Sequence, residues 1–146
     1  MKKFLFILLV SFVTIGCGKD TEPVTSNPTI IGKWNSGILI KTYYNDAGTQ
    51  VLIETINTTA IWDFTAANLT YTSGANSEQT SYNLVSNNRL ELGSNTKISE
   101  VNNFSILQLD ANNMVLEGEK TGSFGYPENN TIKEAVRIVI KIYFKK

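Results

Sequence analysis

Hydrophobic alternation with a period of two runs through nearly all of this 146-residue chain after residue 30. No stretch carries a 3.6-residue stripe long enough for a major helix, and that restricts the chain to β architectures. The clearest case is "EAVRIVIKIYFKK", with Val136, Ile138, Ile140, Ile142 and Phe144 on one face and Arg137, Val139, Lys141 and Tyr143 on the other. "GILIKTYYN" sets Ile38, Ile40, Thr42 and Tyr44 against Leu39, Lys41 and Tyr43, and "AIWDFT" sets Ala60, Trp62 and Phe64 against Ile61, Asp63 and Thr65. "TQVLIETI", "LTYTS", "TSYNLV", "RLELG", "FSILQLD" and "MVLEGEK" complete the set, with "NDAG", "SNN" and "ANN" as turn chemistry. Short strands joined by hairpin-length turns predict an all-β fold: an antiparallel up-and-down meander of about eight strands. A meander of that size hides its edges best by closing into a barrel. The exception to the rhythm is "GEKTGSFGYPENNTIKE", residues 118–134, which reads as a long connection at one rim: either Phe124 and Tyr126 are exposed there as contacts, or the loop is disordered and both aromatics tuck back onto the barrel.

Composition removes whole classes of chemistry. There is no histidine, so the commonest general base and metal ligand is missing. With one cysteine, no disulfide within the chain and no thiolate zinc site can form, and the expectation is no metal and no cofactor. Ser-His-Asp and Cys-His schemes are out of reach, and no phosphate-cradling glycine loop is present. Thirteen basic and thirteen acidic side chains give no basic face for nucleic acid. Glycoside hydrolysis needs only two carboxylates, but the acids are scattered over turns and strand faces. Asp63, between Trp62 and Phe64, reads as an outward residue of an alternating strand.

The N-terminus has its own logic. Lys2 and Lys3 precede a mostly apolar run from Phe4 to Ile15. As a helix those twelve residues rise about 18 Å, short of the roughly 30 Å bilayer core. A cleaved signal over residues 1–16 therefore fits better than a permanent span. Gly16 and then Cys17, the sole cysteine, follow this run. The stretch resembles the lipobox of bacterial lipoproteins, with Thr14 in place of the usual Leu, Val or Ile three residues before the Cys. That resemblance implies that Cys17 becomes a diacylglyceryl-modified N-terminus, a palmitate-type acyl anchor to the membrane. Lys19, Asp20 and Glu22 look like the export signal that places Bacteroidota-type lipoproteins on the outer face of the outer membrane. Loss of Lys2 and Lys3 leaves 11 basic and 13 acidic groups, so the lipid and not the charge would hold the protein to the membrane. Residues 17–29, with Pro23 and Pro28, read as the lipidated Cys and a flexible tether, and residues 30–146 as the folded domain.

Gly32-Lys33-Trp34 in "IIGKWNSG" matches the G-x-W entry of lipocalins. "IWDFTAANLTYTS", "SYNLVSNNRLEL" and "LQLDANNMVLEGE" follow in an order that resembles the lipocalin-like domain of small Bacteroidota lipoproteins. The T-D-Y motif of larger lipocalins and a C-terminal helix pattern are both absent, so the resemblance is to a reduced barrel. It implies that Trp34 plugs one end, with Arg137 as the cation packed over it. It also implies a binding module for a small hydrophobic ligand, with Trp62, Phe64, Tyr71 and Tyr82 lining the site. The alternative is a barrel filled by these same aromatics, serving as a structural or interaction lipoprotein beside an envelope protein partner.

The lipid-anchor expectation has a direct check. In membrane fractionation, Cys17→Ala should leave an unprocessed or soluble precursor in place of the processed, membrane-bound form.

Overall fold

The computed structural model describes residues 29–86, 88–94 and 97–146. The expected signal segment, Cys17 and the tether up to residue 28, with Lys19, Asp20 and Glu22, lie outside the described residues. Nine strands and no helix occur among those described. They are β1 (Gly32–Tyr44), β2 (Gln50–Asn57), β3 (Ile61–Phe64), β4 (Asn68–Ser73), β5 (Asn76–Ser86), β6 (Arg89–Leu92), β7 (Asn103–Leu109), β8 (Asn113–Glu128) and β9 (Thr131–Lys145).

Every pairing is antiparallel. The hydrogen-bonded order runs β1-β3-β4-β5-β6-β7-β8-β9, and β9 returns to β1 to close eight strands into a barrel. This is consistent with a lipocalin-like barrel. The ninth strand, β2, is an appendage. One edge of β1 is shared, with Gly32–Asn35 on β3 and Ile38–Tyr44 on β2. Two strands fit along one edge because β1 is 13 residues long and β3 only four.

The changeover between β3 and β2 coincides with a bulge. Ser36 pairs with Phe144 and Ile38 with Tyr143, so Gly37 is the extra residue on β1. Ser36, buried among apolar residues, satisfies its polar groups there. Its backbone N–H and its hydroxyl both donate to the Ala60 carbonyl at 2.9 Å, and the hydroxyl lies 3.1 Å from that of Thr58. The bulge reverses the parity of β1. Before it the inward side chains are Trp34 and Ser36; after it they are Leu39, Lys41 and Tyr43.

The core follows the alternation of the sequence. Phe64, Leu69, Leu90, Phe104, Met114, Leu116, Ile138 and Phe144 are buried almost completely. Trp62 sits among four other rings, with centroids 5.2 Å from Phe144, 6.0 Å from Tyr71, 6.2 Å from Phe64 and 6.3 Å from Phe104. Tilted and edge-on contacts of this kind stabilise a core beyond the area they bury. Gly118 is required where the wall is tightest: a Cβ there would stand 2.8 Å from the Asn103 carbonyl oxygen and 2.9 Å from a Val101 methyl.

The expectation of a long loop over 118–134 is overturned. β8 and β9 stay paired from Asn113↔Lys145 out to Glu128↔Thr131, interrupted by one bulge between Thr121 and Phe124. The only turn is Asn129-Asn130, with φ of 48° and 61°. Two consecutive residues in the left-handed region match the two-residue hairpin turn for which Asn is suited. Pro127 is tolerated because β7 pairs with β8 no further than Gly118, so beyond that point one edge of β8 has no partner strand. Tyr126 is buried against Tyr43, ring centroids 6.1 Å apart, and Phe124 is half-buried on the core; neither is the expected rim contact.

Other turns match the sequence reading. At Ala111-Asn112, the Asp110 carboxylate accepts from the backbone N–H groups of Asn112 and Asn113 and from the side chain of Gln108. Those bonds, first that of Asn112, then that of Gln108, hold its carboxyl down to about 2.

Gly118→Ala tests the packing of the wall. Backbone and a β-branched side chain surround the site, so the added methyl should destabilise by about 1–3 kcal/mol in denaturant unfolding. An unchanged midpoint would mean that the wall is looser than described.

Candidate functional site

A half-open cavity of about 280 Å³ lies at one mouth of the barrel, on the side of β1 beyond the bulge. Its apolar walls are Leu39, Ile56, Ala60, Trp62, Tyr71, Ile140 and Ile142. Lys41, Ser36 and Thr58 supply polar groups, and residues 97–100 of the β6–β7 connection complete the lining. That connection reaches across from the opposite side of the barrel. Lys41 Nζ meets Glu100 Oε1 at 2.5 Å, joining residues 59 apart in sequence. Ile98 packs on the core, Val101 is buried, and the Lys97 backbone N–H donates to Glu78 Oε1 at 2.8 Å.

The polar groups near the mouth divide into two pairs. Tyr43 donates its hydroxyl to Glu54 Oε2 at 2.8 Å, while Lys41 pairs with Glu100. Burial first, then the hydrogen bond to Glu54 and the charges of Glu54 and Glu100, push the Tyr43 phenol far above its ordinary value. Tyr43 therefore stays a neutral donor at any physiological pH.

The expected ligand-lining residues separate. Trp62 and Tyr71 line the cavity together. Phe64 and Tyr82 do not; they form an edge-on pair with ring centroids 5.2 Å apart, and the Tyr82 hydroxyl donates to the Thr65 carbonyl. Asp63 faces outward and lies 3.8 Å from Lys33. Trp34 is fully buried, its indole N–H donating to the Ile30 carbonyl at 2.6 Å. The cation over its ring is Lys146, 4.4 Å from the centroid, and not Arg137. Arg137 stacks on Tyr44 at 4.0 Å and bonds Glu119 at 3.0 Å, because the parity of β9 turns it out of the barrel.

Lys41 and Glu100 are the site residues that sequence reasoning passed over. Hydrophobicity alone favours Ile38 and Ile40 as the inward set of β1, which would put Lys41 in water. The available signal was Gly37, an isolated glycine within an alternating run, which marks a bulge. Glu100 lies in a segment without alternation, and nothing local points it at β1.

Two further hollows of comparable openness lie elsewhere. One of about 480 Å³ lies beside the bulge, between Gly37, Ile38, Val115 and Tyr143, with Asn35, Gln108 and Lys145 at its rim. The other, about 410 Å³, is polar and bordered by Arg89, Glu117 and Glu119. No group of His, Cys, Asp and Glu side chains able to hold a metal occurs among the described residues.

Comparison with models of known protein families, with curated proteins and with solved structures finds no match to this chain.

The packing role of Trp34 is open to a direct test. Trp34→Ala removes a fully buried indole and should cost about 3–5 kcal/mol of an expected 5–15 kcal/mol total. Thermal unfolding followed by far-UV circular dichroism reads the effect. An unchanged midpoint would show that the indole carries no packing role.

Proposed function

We propose that this protein is a lipid-anchored lipoprotein of the bacterial outer membrane, displayed on its outer face. Its lipocalin-like barrel is a non-enzymatic binding module for one small hydrophobic molecule. The observation that carries the binding reading is the half-open cavity at the barrel mouth: about 280 Å³, with Leu39, Ile56, Trp62, Ile140 and Ile142 among its walls. Ligand pockets usually run from about 300 to 1,000 Å³, so the guest would be a small one. An apolar wall favours a guest through the hydrophobic effect, and the polar groups at the rim orient it. The anchor reading rests on the sequence, on Cys17 directly after the apolar run.

A second reading, an interaction lipoprotein beside an envelope protein, is favoured by the outer surface. β2 pairs with β1 alone, and along "QVLIETIN" Ile53 is exposed on the outer face. An unpaired strand edge with little charge is a template for strand addition.

Octan-1-ol, a neutral probe, separates the two. Titrated into the full chain carrying Cys17→Ser, it should change the fluorescence of Trp62 at the cavity wall. Ala60→Leu, which fills the cavity, should weaken that binding at least tenfold. Failure of octan-1-ol to bind, or binding indifferent to Ala60→Leu, would favour the interaction reading. Native mass spectrometry of protein from its own host would show the natural guest.

A further inference from the structure

We infer that the cavity takes a molecule with an apolar tail and a single carboxylate head, with Lys41 Nζ as the counter-ion of that head. The inference rests on the binding reading above and adds the chemistry of the ligand. Lys41 lies on the inner wall of β1 between Leu39 and Tyr43, opposite Ile140 on β9 and Glu54 on β2. Its side chain is only 15% exposed: the stem packs along the apolar wall and carries the ammonium to the open end of the cavity, where it meets Glu100. Both nearby carboxylates have assignable roles. Glu54 accepts the Tyr43 hydroxyl, while Glu100 supplies Lys41 with an acceptor from a side chain that is 49% exposed. A half-exposed partner is weakly held, since water competes for its oxygens. A ligand carboxylate can take its place with the ion pair conserved, and an ammonium carries three donors to receive it.

The rest of the lining agrees. Lys97 is a second cation at the cavity, so the lining carries two lysines and one glutamate. The hydroxyls of Ser36 and Thr58 are engaged with each other and with the backbone at Ala60. The Ser99 hydroxyl accepts from the Val101 N–H and Lys97 is exposed, so Lys41, the cation set in the wall, is the group that selects a head, while Trp62, Ile140 and Ile142 receive the tail. An ammonium-headed molecule would meet Lys41 with like charge, and a neutral alcohol would gain nothing from it.

The test compares octanoate, octan-1-ol and octylamine, each below its micelle concentration, on the full chain carrying Cys17→Ser, by calorimetry and Trp fluorescence. Octanoate should bind about tenfold tighter than octan-1-ol, with octylamine weakest. Going from six to eight carbons should tighten binding roughly fourfold per methylene. Lys41→Met keeps an unbranched apolar stem; it should reduce octanoate to the level of octan-1-ol and leave octan-1-ol unchanged. Glu100→Gln removes the competing carboxylate and should tighten octanoate severalfold without altering octan-1-ol. Octan-1-ol binding as tightly as octanoate would overturn the head-group assignment and leave the cavity reading intact, whereas binding of neither would overturn both. A preference for octanoate that survives Lys41→Met would remove Lys41 from the role. If Lys41→Met fails to fold by circular dichroism, Glu100→Gln decides alone, and no tightening overturns the inference.

Discussion

The β1–β9 ladder is the contact on which the rest of the barrel depends. It runs from Asn35↔Lys145 to Tyr44↔Arg137 and turns a meander with two open edges into a closed wall. Closure brings Phe144 and Ile142 round to face Trp62 and Leu39, and that gives the core its ring cluster and the cavity its floor. It also places Lys146 over the ring of Trp34 near the start of β1. Backbone hydrogen bonds on both sides of β1 hold this arrangement, and an unpaired β1 edge would expose the core to water.

Much of the fold was legible in the sequence because alternation and turn chemistry are local. Val136 to Phe144, the "NDAG" and "ANN" turns, and the Trp62–Phe64 face all lie in or between the strands they suggested. The 118–134 segment was misread because Gly122, Gly125, Pro127, Asn129 and Asn130 are individually loop-forming residues. Here each has a strand-compatible place: a bulge, a close approach of Ile132 to Gly125, an unpaired edge and a two-residue turn. Composition counted those residues; only the register shows that they divide among different jobs.

The site was legible in part for a different physical reason. Trp62 and Tyr71 belong to strands without bulges, so the period-two pattern places them inside correctly. Lys41 lies past a bulge, and one extra residue exchanges the two faces of everything that follows. Ile38 and Ile40 go outward, where Ile38 meets Tyr143 across the ladder, and a lysine enters an apolar wall. The Lys41–Glu100 pair spans the barrel through tertiary structure alone. Phe64 and Tyr82, chosen with Trp62 and Tyr71 for their aromatic character, are separated from the cavity by the geometry of the wall.

The closing ladder has a consequence for the time order of folding. Asn35 and Lys145 are separated by 110 residues, while every other ladder joins strands far nearer in the chain. Hairpins such as β4–β5 and β8–β9 can form as soon as their own residues are available, but the seam has to wait for β9. High contact order of this kind slows folding, because the loop entropy is lost before the contact rewards it. A chain without β9 would be an open, curled sheet with its apolar lining wet. β9 therefore completes the domain: until Phe144 and Lys146 are in place, Trp62 lacks a ring neighbour and Trp34 its cover.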